Sequence, residues 1–244
     1  MVHQIYAGKA KEMWTTEDED VLRVVYLDQA TALNGKKKDH INDKGKTNNA
    51  ISTLIFKYFE ANGIETHFIK KISDTEELVK KVKIIPLEMI TRNYSAGHFA
   101  SRYGVKEGKK FETPVEEMCL KSDELDDPAI NASQAIALGI VTQSQLDTMW
   151  AISRKVDQLL TPLFEKAGMQ LIDFKLEFGT LPNGKVILAD EFSPDNCLLW
   201  DTKTHHHLDK DVYRKDLGEL TPVYQEVLQR LEKEIGRASC RERV

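Results

Sequence analysis

Leu171-Ile172-Asp173-Phe174-Lys175-Leu176-Glu177-Phe178-Gly179 is followed, after a short turn, by Ile187-Leu188-Ala189-Asp190-Glu191-Phe192-Ser193-Pro194-Asp195. Apolar and charged residues alternate, a period of two that predicts a strand with Ile172, Phe174, Leu176 and Phe178 on one face and Asp173, Lys175 and Glu177 on the other. Between the two runs lies Pro182-Asn183-Gly184-Lys185, and Asn-Gly tolerates the positive φ angles of a two-residue type I′ loop. With Asn183 and Gly184 as that loop, residue 182 faces 185 and Glu177 falls directly opposite Asp190. Two carboxylates with Cβ atoms roughly 5 Å apart repel each other. The pattern therefore calls for a cation, and Mg²⁺ takes carboxylate and phosphate oxygens, which makes Glu177 and Asp190 candidate metal ligands. Lys175, one step along the same face, neutralises part of the charge or holds a phosphate. A solvated hairpin face is the alternative, and the flanking Phe and Leu residues argue against it.

Two further groups carry chemistry. Tyr6-Ala7-Gly8-Lys9-Ala10-Lys11-Glu12 reads as strand, turn and strand. There Gly8 permits close approach of backbone to a phosphate, and alternation puts Lys9 and Lys11 on one face as two charges for one polyphosphate. It is not a Walker loop, which needs a longer glycine pattern before a helix, and lysines on a solvated strand remain the other reading. Ile85 to His98 passes from an extended run into a small-residue turn and a helix. Arg92, at the strand end, suits a bidentate anion clamp; Ser95 and His98, with the amides of a helix start, suit a phosphate or carboxylate. Structural pairing of Arg92 with a nearby acid is equally open.

These groups need elements to position them. Gln4 to Ala7, Glu12 to Thr15 and Val21 to Tyr26 read as strands of an antiparallel sheet, with Thr16 to Asp20 as a turn. Ile51, Leu54, Ile55, Tyr58 and Phe59 recur at helical spacing, ended by Asn62-Gly63. Ser73-Asp74-Thr75-Glu76 matches a capping box. Val82 to Asn93 reads as extended, with Pro86 marking an edge or bulge. Thr142 and Gln145 cap a helix reaching about Lys166, kinked or ended by Pro162. A polar loop, Asp201 to Asp211, leads to a last helix with Thr221 as cap and Pro222 in its first turn. Strands first and mixed elements later indicate an α+β fold.

The 244 residues, 41% hydrophobic and 30% charged, suffice for a core without disulfides. A net charge of -5 gives no sign of a general nucleic-acid or membrane binder. Cys119, Cys197 and Cys240 lack zinc or disulfide spacing, and neither a signal peptide nor a membrane span is legible, so a cytoplasmic location is expected. His205-His206-His207 reads as exposed loop rather than metal site. Residues 235–244 read as non-native, because a common sequencing-adaptor oligonucleotide encodes this string in one frame.

Taken together, Tyr-x-Gly-Lys-x-Lys, Pro-Leu-Glu-x-x-x-Arg-Asn-x-x-Ala-Gly, Asp-x-Lys-Leu-Glu-Phe-Gly and Asp-Glu-Phe-Ser-Pro-Asp resemble the SAICAR synthetase family, in order and over nearly the whole chain. Asn34-Gly35, Lys44-Gly45 with Asn48-Asn49, Ser73-Asp74-Thr75-Glu76, Asp127-Pro128 and Asp209-Lys210-Asp211 with Arg214 agree in order. The resemblance implies an α+β fold with a 1–81 lobe over the ATP phosphates, an 82–234 lobe with the metal and substrate sites, and ATP in the cleft between them. It implies an ATP-dependent ligase of purine biosynthesis that joins L-aspartate to carboxyaminoimidazole ribonucleotide, through an acyl phosphate, with ATP and Mg²⁺ as cofactors. By position, Gly8, Lys9 and Lys11 cover the ATP phosphates, backbone from Lys83 to Glu88 borders adenine, and Glu177 and Asp190 hold Mg²⁺. Asp173 and Lys175 line the reacting centre, while Arg92, Ser95, His98, Lys210 and Arg214 grip the ribonucleotide. Four residues depart from the family pattern: His98 replaces a Ser, Leu198 an Arg thought to bind the ribonucleotide phosphate, Ser122 an Asn or Asp, and Gln29 an Asp. A catalytically weak nucleotide-binding homologue and a small-molecule kinase remain open, as does a homodimer; ADP release with and without aspartate separates the activities.

Overall fold

The computed structural model of the chain describes residues 2–32 and 37–241; Asn34 and Gly35 lie outside them. The fold is α+β, as expected. β1 (Gln4–Ala7), β2 (Lys11–Thr15), β3 (Val21–Tyr26), β6 (Phe68–Lys71) and β7 (Glu76–Lys80) form one antiparallel sheet in the order β1-β2-β3-β7-β6. A ribbon of β4 (Gln29–Ala32) and β5 (Lys37–His40) leads into α1 (Lys44–Ala61). The second sheet runs β11-β10-β8-β9, from β8 (Lys83–Tyr94), β9 (Lys110–Leu120), β10 (Met169–Thr180) and β11 (Val186–Ala189), and β12 (Cys197–Asp201) also pairs with β10. The helices are α2 (Gly97–Tyr103), α3 (Ala132–Ala137), α4 (Gln143–Lys166), α5 (Asp211–Arg214) and α6 (Leu220–Arg241).

One core joins α1, α4 and α6 to the apolar face of the second sheet, with Phe56, Phe59, Val156, Phe174, Leu176, Phe178, Phe192 and Val227 at its centre. Burying that stripe leaves the alternate positions, Glu88, Lys175 and Glu177, on the opposite face, toward the first sheet. The capping box of α4 forms as read, Thr142 accepting from the Gln145 amide and Gln145 from that of Thr142. None of the described helices is long and apolar enough to cross a membrane.

Several expectations need correction. The 177–190 hairpin closes one residue earlier than a two-residue loop would: Leu181 pairs with Lys185 and Glu177 with Ala189, leaving Asp190 one step beyond the last pair. Of the loop residues only Gly184 has positive φ (82°), and Asn183 Oδ1 instead accepts the Lys185 amide at 3.0 Å. That is the three-residue alternative Asn-Gly also permits. Ile172 leaves the Phe174 face, because β10 carries an extra residue against β12 between Leu171 and Asp173; it packs with Tyr94, Leu198 and Trp200. Ser73 to Glu76 caps no helix but turns into β7, whose Glu77-Leu78-Val79-Lys80 alternates as a strand. Of the two readings of Pro86 the bulge holds and the edge does not: the ladder slips between Ile85 and Glu88, and β8 lies inside the sheet between β10 and β9. α4 reaches Lys166 as expected and does not end at Pro162, which lies inside it. Thr221 sits inside the first turn of α6, its hydroxyl donating to the Asn42 carbonyl at 2.7 Å.

Candidate active site

The opposed carboxylates exist, but as a different pair. Glu177 on β10 lies directly across from Glu88 on β8, and Lys175 bridges them, its Nζ 2.5 Å from Glu88 and 2.9 Å from Glu177. Lys121, just after β9, donates to the other Glu177 oxygen, while its amide bonds the Pro86 carbonyl at 3.1 Å and so ties it to the slipped part of β8. From the first sheet, Lys11 reaches Asp190 at 2.5 Å and Glu191 at 3.3 Å. Three lysines thus interleave with four carboxylates where the first sheet meets the second.

The electrostatics follow from burial and pairing. Burial opposes ionisation of Asp190, yet Lys11, then Lys175 and Lys121, hold it well below the usual carboxylate range. Burial likewise opposes the charge on Lys11 and Lys175, and the carboxylates override it, raising both above the usual lysine range. Burial raises Glu191, with Lys11 opposing and Asp190 adding to the shift. Its Oε2 is buried and makes no hydrogen bond. Deeper in the first sheet, the Tyr26 hydroxyl donates to Glu77 at 3.0 Å, and burial pushes that carboxyl up to about 7.

A second cluster adjoins. Arg92 donates to Glu117 at 2.5 Å and to Asp173 at 2.7 Å, at the point where β10 bulges. Bulges re-aim side chains near active sites. Burial raises Asp173 to about 6, Arg92 and Arg214 opposing and Asp209 and Asp211 adding to the rise. Arg214 and Lys215 both pair with Asp211 at 3.0 Å. Lys210 immediately precedes α5, 3.9 Å from Asp195, and burial lowers its pKa. Asp195 is itself held by buried Lys44 at 2.5 Å, Tyr224 at 2.7 Å and Asn48 at 3.1 Å. These contacts tie α1, α6 and the segments before β12 and α5 together.

The remaining expected site residues occupy varied settings. Lys9 is exposed and pairs with Asp123 at 2.6 Å, its carbonyl held by Gln29 at 2.8 Å. Gly8 leaves room for the Tyr6 ring, whose Cε1 lies 2.7 Å from where a Cβ would sit. Lys83 is exposed, and its carbonyl accepts from Thr180 at 3.3 Å. Ser95 is buried with its hydroxyl donating to the Lys106 carbonyl at 2.6 Å and accepting from the Lys109 amide at 3.0 Å, so it ties down a loop. His98 is exposed at the start of α2. Leu198 is 9% exposed in the apolar Ile172 cluster, and its Cδ1 is the nearest atom to the Gly97 Cβ position, at 4.0 Å. His207, read as exposed, packs edge-on against Trp200 instead. Gly179 closes the β10 motif because a Cβ there would lie 2.7 Å from that of Val82.

Sequence reasoning missed Lys121, Glu117 and Asp123, which belong to no local motif, and Glu191, which sat in plain view beside Asp190.

The sequence matches the SAICAR synthetase family over residues 4–231. The phosphoribosylaminoimidazole-succinocarboxamide synthase of Limosilactobacillus fermentum is 66% identical over 229 residues, covering 93% of this chain and 95% of that one. This chain belongs to the SAICAR synthetase family. A crystal structure of the Ehrlichia chaffeensis enzyme superposes with a TM-score of 0.92 at 40% identity, over 94% of this chain and 98% of that one. A SAICAR synthetase in complex with ADP superposes at 0.90 with 41% identity, over 94% and 97%. The chain is accordingly an ATP-dependent carbon–nitrogen ligase of purine biosynthesis, joining L-aspartate to carboxyaminoimidazole ribonucleotide to give SAICAR, ADP and phosphate.

Proposed function

We propose that the lysine–carboxylate cleft binds Mg²⁺ and ATP and activates the ribonucleotide carboxylate beside Asp173. The observation that carries this is the alternation of Lys11, Lys121 and Lys175 with Glu88, Glu177, Asp190 and Glu191. Lysines serve phosphate oxygens, and carboxylates serve a hard cation. The donor set fits Mg²⁺: it is all oxygen, and Glu191 Oε2 is buried and unsatisfied. Glu177 and Asp190 would hold the ion, which when bound neutralises phosphate charge during phosphoryl transfer. The ADP complex of a structural neighbour supports a nucleotide here.

In this reading residues 1–81 cover the nucleotide, with Gly8, Lys9 and Lys11 at its phosphates, and residues 82–234 carry the rest. Backbone from Lys83 to Glu88 borders the adenine. Arg92, the Ser95 to His98 turn, Lys210 and Arg214 hold the ribonucleotide; Ser95 contributes by shaping the turn. A carboxylate oxygen of the ribonucleotide attacks the γ-phosphorus as the bond to the β-phosphate oxygen breaks and ADP leaves. The aspartate amine then attacks the acyl carbon and phosphate departs with its bridging oxygen. Lys175 and Lys121 stabilise the transferring group, and ionised Asp173 accepts the proton lost from the aspartate ammonium. The test is ¹⁸O in the ribonucleotide carboxylate. One labelled oxygen should appear in inorganic phosphate, with ADP release requiring aspartate; unlabelled phosphate would refute the acyl phosphate.

A further inference from the structure

The corrected hairpin register raises a difficulty. Glu177 pairs with Ala189, and directly paired residues project to the same side of a sheet. Asp190, the next residue, would in regular strand geometry point to the opposite face. Instead its backbone is left-handed, with φ of 63°, and its carboxylate reaches Lys11 in the cleft. Outside glycine that conformation is uncommon, Asp and Asn entering it most readily, and it is kept where the surroundings hold it.

His67 is placed to impose it. It lies between α1 and β6, in a segment that bridges in parallel to β11 through Thr66 and Leu188. Its backbone amide donates to the Leu188 carbonyl at 2.8 Å, and its own carbonyl accepts from Lys80 of β7 at 2.6 Å. Its Nε2 lies 2.8 Å from the Asp190 carbonyl. A carbonyl only accepts, so Nε2 carries the hydrogen. The ring is buried and packs edge-on against Phe56, centroids 5.6 Å apart, which fixes its direction. Through one residue, β7 of the first sheet is therefore joined to the end of β11 and to the peptide that turns Asp190 into the cleft.

We infer that His67 is a positioning residue: its Nε2–H holds the Asp190 peptide in the left-handed turn that brings this carboxylate round to the Glu177 side, forming the metal site. This rests on the reading of Asp190 as a metal ligand. Residues that orient a ligand typically change metal affinity 10–100-fold when lost.

The test measures Mn²⁺ binding in the presence of ADP, by loss of the free-ion paramagnetic signal beyond that of a matched Mn²⁺–ADP titration without protein, in the intact protein and in His67→Phe, His67→Gln and Asp190→Asn. His67→Phe keeps an aromatic ring against Phe56 and lacks the donor, so it should weaken Mn²⁺ by about tenfold or more. His67→Gln returns a donor near Nε2 and should recover to within about threefold of wild type, less than the loss expected of a missing ligand-orienting bond. If His67→Phe does not fold, as judged by thermal melting without ligands, His67→Met is the donor-free variant. Binding unchanged in the donor-free variant while Asp190→Asn weakens it would overturn the inference, as would equal weakening in His67→Gln, which would assign the effect to packing. Unchanged binding in Asp190→Asn would instead overturn the ligand reading on which it rests.

Discussion

Glu177→Gln separates function from stability at one buried position. Glu177 is 4% exposed and accepts from Lys175 and Lys121. Removing one partner of a buried ion pair ordinarily costs about 3–5 kcal/mol, because a charge is left stranded. Here neither lysine is stranded: Lys175 keeps Glu88 at 2.5 Å, and Lys121, with 39% of its side chain exposed, can turn to solvent. The substitution also removes the repulsion between Glu177 and Glu88, which face each other directly across β10 and β8. Stability should fall by no more than about 1–2 kcal/mol, or roughly 2–8 °C in melting temperature for a chain of this size. If Glu177 holds the ion as proposed, the metal site by contrast loses an anionic ligand, and the Mg²⁺ concentration giving half-maximal turnover should rise at least about tenfold. The assay is a Mg²⁺ titration of ADP release at saturating substrates, with thermal melts run on the same protein without ligands. A half-saturation within twofold of wild type, or a stability loss above about 4 kcal/mol, would show that Glu177 is structural and refute the reasoning.

Leu198→Arg places a guanidinium beside the Gly97 turn; if it meets the ribonucleotide phosphate, KM for that substrate should fall about ten- to a hundredfold, equivalent to 1.5–3 kcal/mol. An unchanged KM would mean that other groups already fill the role. With Asp173 raised to about 6 by burial, kcat should decline as pH falls through that value and the carboxylate is protonated. Asp173→Asn should lose most activity and abolish that limb; a persisting limb would assign it elsewhere. Glu77, raised by burial from 4.5 to about 7, binds its proton more tightly folded than unfolded. It therefore favours the fold below pH 4.5, and that contribution, on the order of 3 kcal/mol, is lost as pH rises through 7. Urea unfolding of Glu77→Gln should show a flatter pH dependence between those values and greater stability than wild type at pH 8; an unchanged slope would contradict the raised carboxyl.

Much of this architecture was legible wherever a local rule had one solution. Thr142 and Gln145 mark the α4 start because their reciprocal bonds need only helical spacing. Alternation from Phe174 to Phe178 set the charged face because the apolar face had to be buried. Failures came where one pattern permits two geometries. Asn-Gly serves two- and three-residue loops alike, and one residue of difference took Asp190 out of register with Glu177; the acid that does face Glu177, Glu88, comes from the separate pairing of β10 with β8, which no local pattern announces. Ser73 to Glu76 fits a helix cap and a turn equally, and the strand period after it decided. Lys121 and His67 were invisible because their roles arise from partners 56 and 123 positions away.

In the proposed site, lysines and carboxylates are exchange partners for ATP phosphates and Mg²⁺. A crystal structure with Mg²⁺ and ADP tests it most directly. The ion should lie on the Glu177 and Asp190 oxygens, with Lys11 Nζ moved from Asp190 to a phosphate; nucleotide bound elsewhere, or Lys11 still on Asp190 with no metal beside it, would contradict it.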